Sequence, residues 1–190
     1  MRHFLFQSME KIKTSFSWFQ YTVRGWNRFF PKMIIENHDH EVTLSILPPS
    51  TWIKKEQIQA NISDSDFIDF CSLLSNQSNR FLQNKNTEIV IDEPLRTYLK
   101  SYGLSKTLSE NEWTAFLEML FSQVKIQKWK DKYFNPNVLD GATWTVEYKL
   151  GKRIREISGY HDHPDCWQEF IAFLEEMTSF SYLPIRKSVR

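Results

Sequence analysis

Apolar residues recur along this chain in two different periods, and the switches between them mark out its elements. From residue 17 onward, Phe19, Tyr21 and Val23 alternate with Gln20, Thr22 and Arg24, a period of two that predicts a strand. A second run covers residues 32–36. A third sets Val42, Leu44 and Ile46 against Thr43 and Ser45, the pattern of a half-buried strand. The polar stretch Asn37-His38-Asp39-His40 between them reads as a hairpin loop, and Pro48-Pro49 ends the third run because proline has no N–H for a ladder. The period then lengthens. After a helix start at Asn61-Ile62-Ser63-Asp64, the residues Phe67, Phe70, Cys71 and Leu74 fall on one face of a helix. Trp113, Phe116, Leu117 and Leu120 repeat that stripe, and Trp167, Phe170, Ile171 and Leu174 repeat it again.

Punctuation between these runs supplies the rest. Residues 4–13 read as a short helix, residues 76–87 as a loop or a frayed helix end, residues 88–91 as a short strand, and residues 94–102 as a helical turn ended by Gly103. Ser109 with Glu112 forms the capping-box signature ahead of the second stripe. A polar, lysine-rich segment over residues 126–133 follows, closed by Asn135-Pro136-Asn137. Trp144, Val146 and Tyr148 then alternate into a hairpin turning at Gly151. The return strand places Ile154 and Ile157 on opposite faces, which predicts a bulge. Pro164 is expected at the first position of the last helix, where its missing N–H costs nothing. Strands in hairpins among amphipathic helices, without regular alternation, predict an α+β fold of antiparallel strands packed against helices. The expected organisation is a single domain over residues 1–190, with halves 1–103 and 104–190 as the alternative.

Composition narrows the functional classes. Apolar residues make up 41% and aromatics 15% of the 190 residues, which excludes a disordered chain, and only 5 glycines argue against glycine-rich cofactor loops. No cofactor is expected. The net charge of +1 gives no global pull toward nucleic acid or membrane. Its distribution is uneven: residues 56–93 carry seven acids against two bases, and residues 125–155 carry eight bases against three acids. Two cysteines, no secretory signal and no apolar run of about 18 residues point to a cytoplasmic protein that does not enter a membrane.

Several constellations carry candidate chemistry. His161, His163 and Cys166, with His38 and His40, have donor atoms suited to zinc, but no standard ligand spacing is present. The same residues make good turn chemistry: Asp162 or His163 caps the helix opened by Pro164, and Asp165 favours its positive end. We expect a structural turn and no metal. Lys125, Lys128, Lys130 and Lys132, interleaved with Trp129 and Tyr133, have the composition of a single-strand nucleic-acid binder, and equally of a solvated face over buried aromatics. The acids Asp64, Asp66, Asp69, Asp92 and Glu93 form a candidate acidic face for a basic partner. The familiar phosphate-loop, dinucleotide, zinc-protease and nucleophile-elbow motifs are all missing from the sequence, so no enzyme is expected.

The segment Leu139-Asp140-Gly141-Ala142-Thr143-Trp144, followed by Ser158-Gly159-Tyr160, Pro164 and Trp167, resembles a module of small bacterial proteins. In that module an LDG-x-x-W strand leads through a hairpin to SG, a polar turn, a proline and a helix. Proteins of this appearance include immunity-type proteins that neutralise a toxin encoded nearby. The resemblance covers roughly residues 109–177 and departs after SG, where Tyr160-His161-Asp162-His163 replaces the usual amide-type residue. It implies a protein that binds a toxin and occludes it. Asp140-Gly141 is expected to form a tight turn with positive φ, Trp144 to pack on the closing helix, and Gly159 to release the strand into the turn. A metal-assisted hydrolase using His161 and His163 and a nucleic-acid-binding module using the lysine-rich segment are the alternatives.

Overall fold

The computed structural model describes residues 2–25, 28–29, 32–38, 41–48, 64–83, 91–138 and 141–178. A helix α1 (Arg2–Ser15) leads into β1 (Phe16–Gly25), β2 (Arg28–Phe29) and the hairpin β3 (Lys32–His38) and β4 (Glu41–Leu47). Helices α2 (Asp64–Gln83) and α3 (Glu93–Ser101) follow, then a short β5 (Ser105–Thr107) and α4 (Glu110–Glu118). A π-helical turn (Met119–Gln123) and a 3-10 turn (Ile126–Lys128) lead to β6 (Lys132–Phe134). The hairpin β7 (Thr143–Leu150) and β8 (Arg153–Tyr160) and helix α5 (Trp167–Thr178) complete the described chain. The fold is α+β. One sheet of eight strands runs in the order β5-β4-β3-β1-β7-β8-β6, with β2 beside β1. Its neighbours are antiparallel except β6, which runs parallel to β8. The sheet crosses residue 103: β4 pairs with β5, and β1 with β7.

Helices cover both faces. On one, Phe19, Tyr21, Ile35, Leu44, Trp144, Val146 and Ile157 meet Trp113, Phe116, Leu117 and Leu120 from α4 and its π-helical turn, and Trp167, Phe170, Ile171 and Leu174 from α5. The stripes at 113–120 and 167–174 are thus the two helical walls of one core. On the other face Trp18, Ile34 and Leu47 meet Phe70 and Leu74 of α2 and Leu95 and Leu99 of α3. This second cover makes β4 buried on both faces, where a half-buried strand is expected from its pattern. Thr43 and Ser45 tolerate the burial because they are short, and Ser45 shares a hydroxyl hydrogen bond with Ser105 (2.9 Å).

Two local expectations are narrowed and two are corrected. Of the two readings of residues 76–87, the helix end holds as far as Gln83, since no Gly or Pro interrupts α2 and a nucleated helix propagates; residues 84–87 lie outside the described residues. Of the strand expected over 88–91, only Ile91 lies within the described residues, and it is not in a strand: its N–H turns to the Glu36 carboxylate (3.2 Å). Strand β8 pairs with β7 in unbroken register, without a bulge. Ile154 and Ile157 face opposite ways because they are three positions apart in a regular strand, and Ile157 is fully buried while Ile154 is 46% exposed. The irregularity lies in β1, between Phe16 and Trp18, and it sends those two side chains to opposite cores. Helix α5 begins at Trp167, so Pro164 stands one turn earlier and accepts the Trp167 N–H on its carbonyl (3.0 Å). The helix start at 61–63 and the loop residues Asp39 and His40 lie outside the described residues; His38 is the last residue of β3, paired with Glu41.

Candidate interaction surface

The residues of the LDG-x-x-W and SG pattern are consumed by packing. Trp144 is buried between Trp167 (ring centroids 4.3 Å apart), Tyr133 (5.7 Å) and His163 (6.1 Å), and its Nε1 donates to the Asp162 carbonyl (3.0 Å). Gly159 lies directly across the hairpin from Trp144, and a Cβ there would fall inside the indole. That close approach is why the position is glycine. The strand continues past it to Tyr160, and the residue that releases the chain is His161, in the left-handed region at φ 50°. Gly141 is likewise glycine for space and not for a positive φ, because the His161 ring occupies the place of its Cβ. Ser158 pairs with both Thr145 and Lys132, and Pro164 is buried beneath the turn. Asp140 lies outside the described residues.

The donor atoms of the HDHPDC stretch point to different neighbours. His161 meets Gly141 and Tyr160, and His163 lies against Trp144 and Trp167, where burial lowers its pKa. The Cys166 thiol faces the Val124 carbonyl (3.7 Å). Asp162 accepts the N–H of His163 (2.9 Å) and does not cap α5, which starts too far along for it to reach. Among the described residues no three His, Cys, Asp or Glu side chains form a group able to hold a metal ion.

The acidic residues divide between two places. Asp69 is exposed on α2 beside Phe70, whose ring meets Tyr98 and Tyr102 at the C-terminal end of α3. Asp92 and Glu93 begin α3, about 13 Å away along its axis. There Glu93 pairs with Arg96 (3.4 Å), which also clamps the buried Glu36 (3.0 Å). Asp64 and Asp66 open α2, and their side chains lie outside the described part of the structure.

The basic segment presents a different picture. Trp129 is buried, donates from Nε1 to the Val124 carbonyl (2.9 Å) and packs edge-on to Phe170 (5.3 Å), and Tyr133 turns inward onto Trp144. Neither is a free stacking platform. The Arg155 guanidinium pins the segment from within, donating to the carbonyls of Ile126 (2.9 Å) and Trp129 and to the Asp131 carboxylate (3.1 Å). Asp131 is thereby neutralised. Lys125, Lys128, Lys130 and Lys132 remain exposed, with no ion-pair partner among the described residues. Two residues past Lys132 on β6 stands Phe134, 65% exposed, its ring stacked on Tyr160 (5.8 Å).

Register places Lys132 and Phe134 on one face of the sheet, whereas Arg155, opposite Tyr148, pins the 126–129 segment on the other. Lys132 and Phe134 of β6 oppose Ser158 and Tyr160 of β8, and their face also carries Glu156, Ile154, Glu147 and Lys149. Among the described residues, α2 and α3 pack on β1, β3 and β4 of this face. A polar chain crosses three strands there: Lys32 donates to Gln20 (2.9 Å), and Gln20 donates to Glu147. Burial lowers the Lys32 pKa to about 8 and raises that of Glu147. The sequence pointed to the lysines but not to Phe134. Its signal is position alone, two residues past Lys132 on a strand whose middle residue packs inward. Among the described residues no helix is long and apolar enough to cross a membrane. Compared with protein-family models, with curated proteins and with solved structures, the chain matches none.

Proposed function

We propose that this chain is an immunity-type protein of the bacterial cytoplasm that binds a cognate protein toxin and neutralises it by occlusion, without catalysis of its own. The observation that supports this most is the exposed Phe134, stacked on Tyr160, on the same strand as Lys132, in a segment of four exposed lysines without an ion-pair partner among the described residues. An exposed aromatic anchor with charge around it is the composition of a protein-binding hot spot. The resemblance of residues 109–177 to immunity-type modules points the same way, and the motif residues serve packing, which leaves recognition to the surface around them. The acids of α2 and α3 (Asp64, Asp66, Asp69, Asp92 and Glu93) are the second candidate contact, suited to a toxin with a basic substrate groove.

Expression of the adjacent reading frame in a sensitive bacterial host, with and without this chain, tests the reading. Growth arrest alone, rescue on co-expression and a complex recovered from lysate are expected. A harmless neighbour, or one that stays lethal beside soluble chain, would sink it. Charge reversal at Asp69, Asp92 and Glu93 against reversal at Lys128, Lys130 and Lys132 then separates the two contacts, because rescue fails only for the surface that meets the toxin.

A further inference from the structure

Among the described residues, strand β6 is the last strand of the sheet and pairs with β8 alone. Its phase is fixed at both ends: the Asp131 carbonyl accepts the Ser158 N–H (3.0 Å), and the Asn135 N–H donates to the Tyr160 carbonyl (3.1 Å). In a parallel pair alternate residues bond inward, so the backbone groups of Lys132 and Phe134 point away from the sheet. Natural edges are often blunted by lysine and shortness alone. A purely protective edge has no use for an apolar ring 65% exposed at its end. Here the outward backbone groups and the Phe134–Tyr160 seat occur together with the exposed Lys132, and the exposed Lys128 and Lys130 precede the strand in sequence.

We propose that β6 is where an extended, acidic segment of the partner protein adds to the sheet as a further strand. The outward N–H and C=O groups of Lys132 and Phe134 hold its backbone, an apolar side chain rests on Phe134, and its carboxylates meet the lysines. The charge selects acidic chemistry, and the inward turn of Trp129 and Tyr133 disfavours a single-stranded nucleic acid, which needs exposed stacking rings. This inference rests on the protein-binding reading of the function and specifies its surface.

Amide-resolved NMR of the full chain, titrated with a short blocked peptide of alternating glutamate and valine, tests it. The expected result is perturbation and exchange protection of the Lys132 and Phe134 amides, with a matched lysine–valine peptide giving neither. Lys132→Pro removes one outward N–H without touching the inward ladder, and Lys132→Gln removes only the charge. The glutamine variant should weaken binding about threefold, the scale of one exposed charge. The proline variant should weaken it about tenfold, the scale of charge and hydrogen bond together. Perturbation elsewhere on the chain, equal binding by both variants and the parent, or preference for an oligothymidine over the peptide would overturn the proposal. The growth assay keeps the two readings apart. Rescue that survives both Lys132→Pro and combined reversal of Lys128, Lys130 and Lys132 leaves immunity standing and removes β6. Peptide capture at β6 without rescue does the reverse.

Discussion

On one face of the sheet, aromatic rings meet aromatic rings: Phe16 against Trp113, Phe19 against Phe116, Tyr21 against Phe170 and Trp144 against Trp167. On the other face a smaller apolar cluster shares its burial with polar groups, and an ion pair helps attach the cover. Glu36, 1% exposed in the middle of β3, accepts from the Ile91 N–H and from Arg96. The difference bears on strength and on specificity. The aromatic side is held by area and shape, which many rings share. The α2–α3 side is also fixed by a charge pair whose partners must stay in place, since a buried charge without its partner is expensive.

Substitutions can break that comparison. The largest expected effect is Trp144→Ala, about 3–5 kcal/mol, because the ring fills the space between β8, α5 and the 161–164 turn. Gly159→Ala approaches the same site by overfilling it and should cost about 1–3 kcal/mol. Urea unfolding reads both, and a loss from Trp144→Ala below about 1 kcal/mol would show that the aromatic side does not dominate. Next comes Arg96→Met, expected to cost about 3 kcal/mol by stranding Glu36. Adding Glu36→Met should restore much of that loss, and a double-mutant cycle in which the two losses simply add would rule the pairing out.

A smaller effect sharpens the picture at the α4 cap. Glu112 reaches Lys106 (2.7 Å) and the Ser109 N–H (2.8 Å), and these bonds, Lys106 first, hold its carboxyl down at about 2. The folded state therefore resists protonation more than the unfolded chain, whose ordinary value is 4.5. The contribution is complete above about pH 4.5 and drains away as pH falls toward 2. The stability gap between the parent and Glu112→Gln should close over that window, modestly because the pair is exposed to solvent. A gap that stays constant to pH 2 would contradict the cap assignment. Smallest of all is Phe134→Ser, expected within about 0.5 kcal/mol of the parent in urea. A larger loss would make Phe134 part of the core and not part of a surface for recognition.

What could be read from the sequence follows from how one-sided each element is. The stripes at 113–120 and 167–174 were legible because each helix buries one face only, and the Ser109–Glu112 box because it is wholly local. Strands β5 and β6 were not, being three residues long with no room for a period. Gly159 was read as a point of flexibility because nothing near it in sequence reveals that an indole fifteen positions earlier lies on it. For the candidate surface, the lysines stand out by composition. The exposure of Phe134 and the burial of Trp129 depend on which way a short edge strand faces, and tertiary pairing decides that.

The place of β1 in the sheet has a consequence for biosynthesis. Of the described strands it is the first to be synthesised, yet it lies between β3, which follows within a few residues, and β7, whose Thr143 bonds to the Arg24 carbonyl across 119 positions. At about 5–20 residues per second, one side of β1 waits on the order of ten seconds for its second neighbour. A nascent chain stalled before residue 143 therefore displays an apolar strand with an open flank, so co-translational chaperone capture should peak in that interval and fall once β7 emerges.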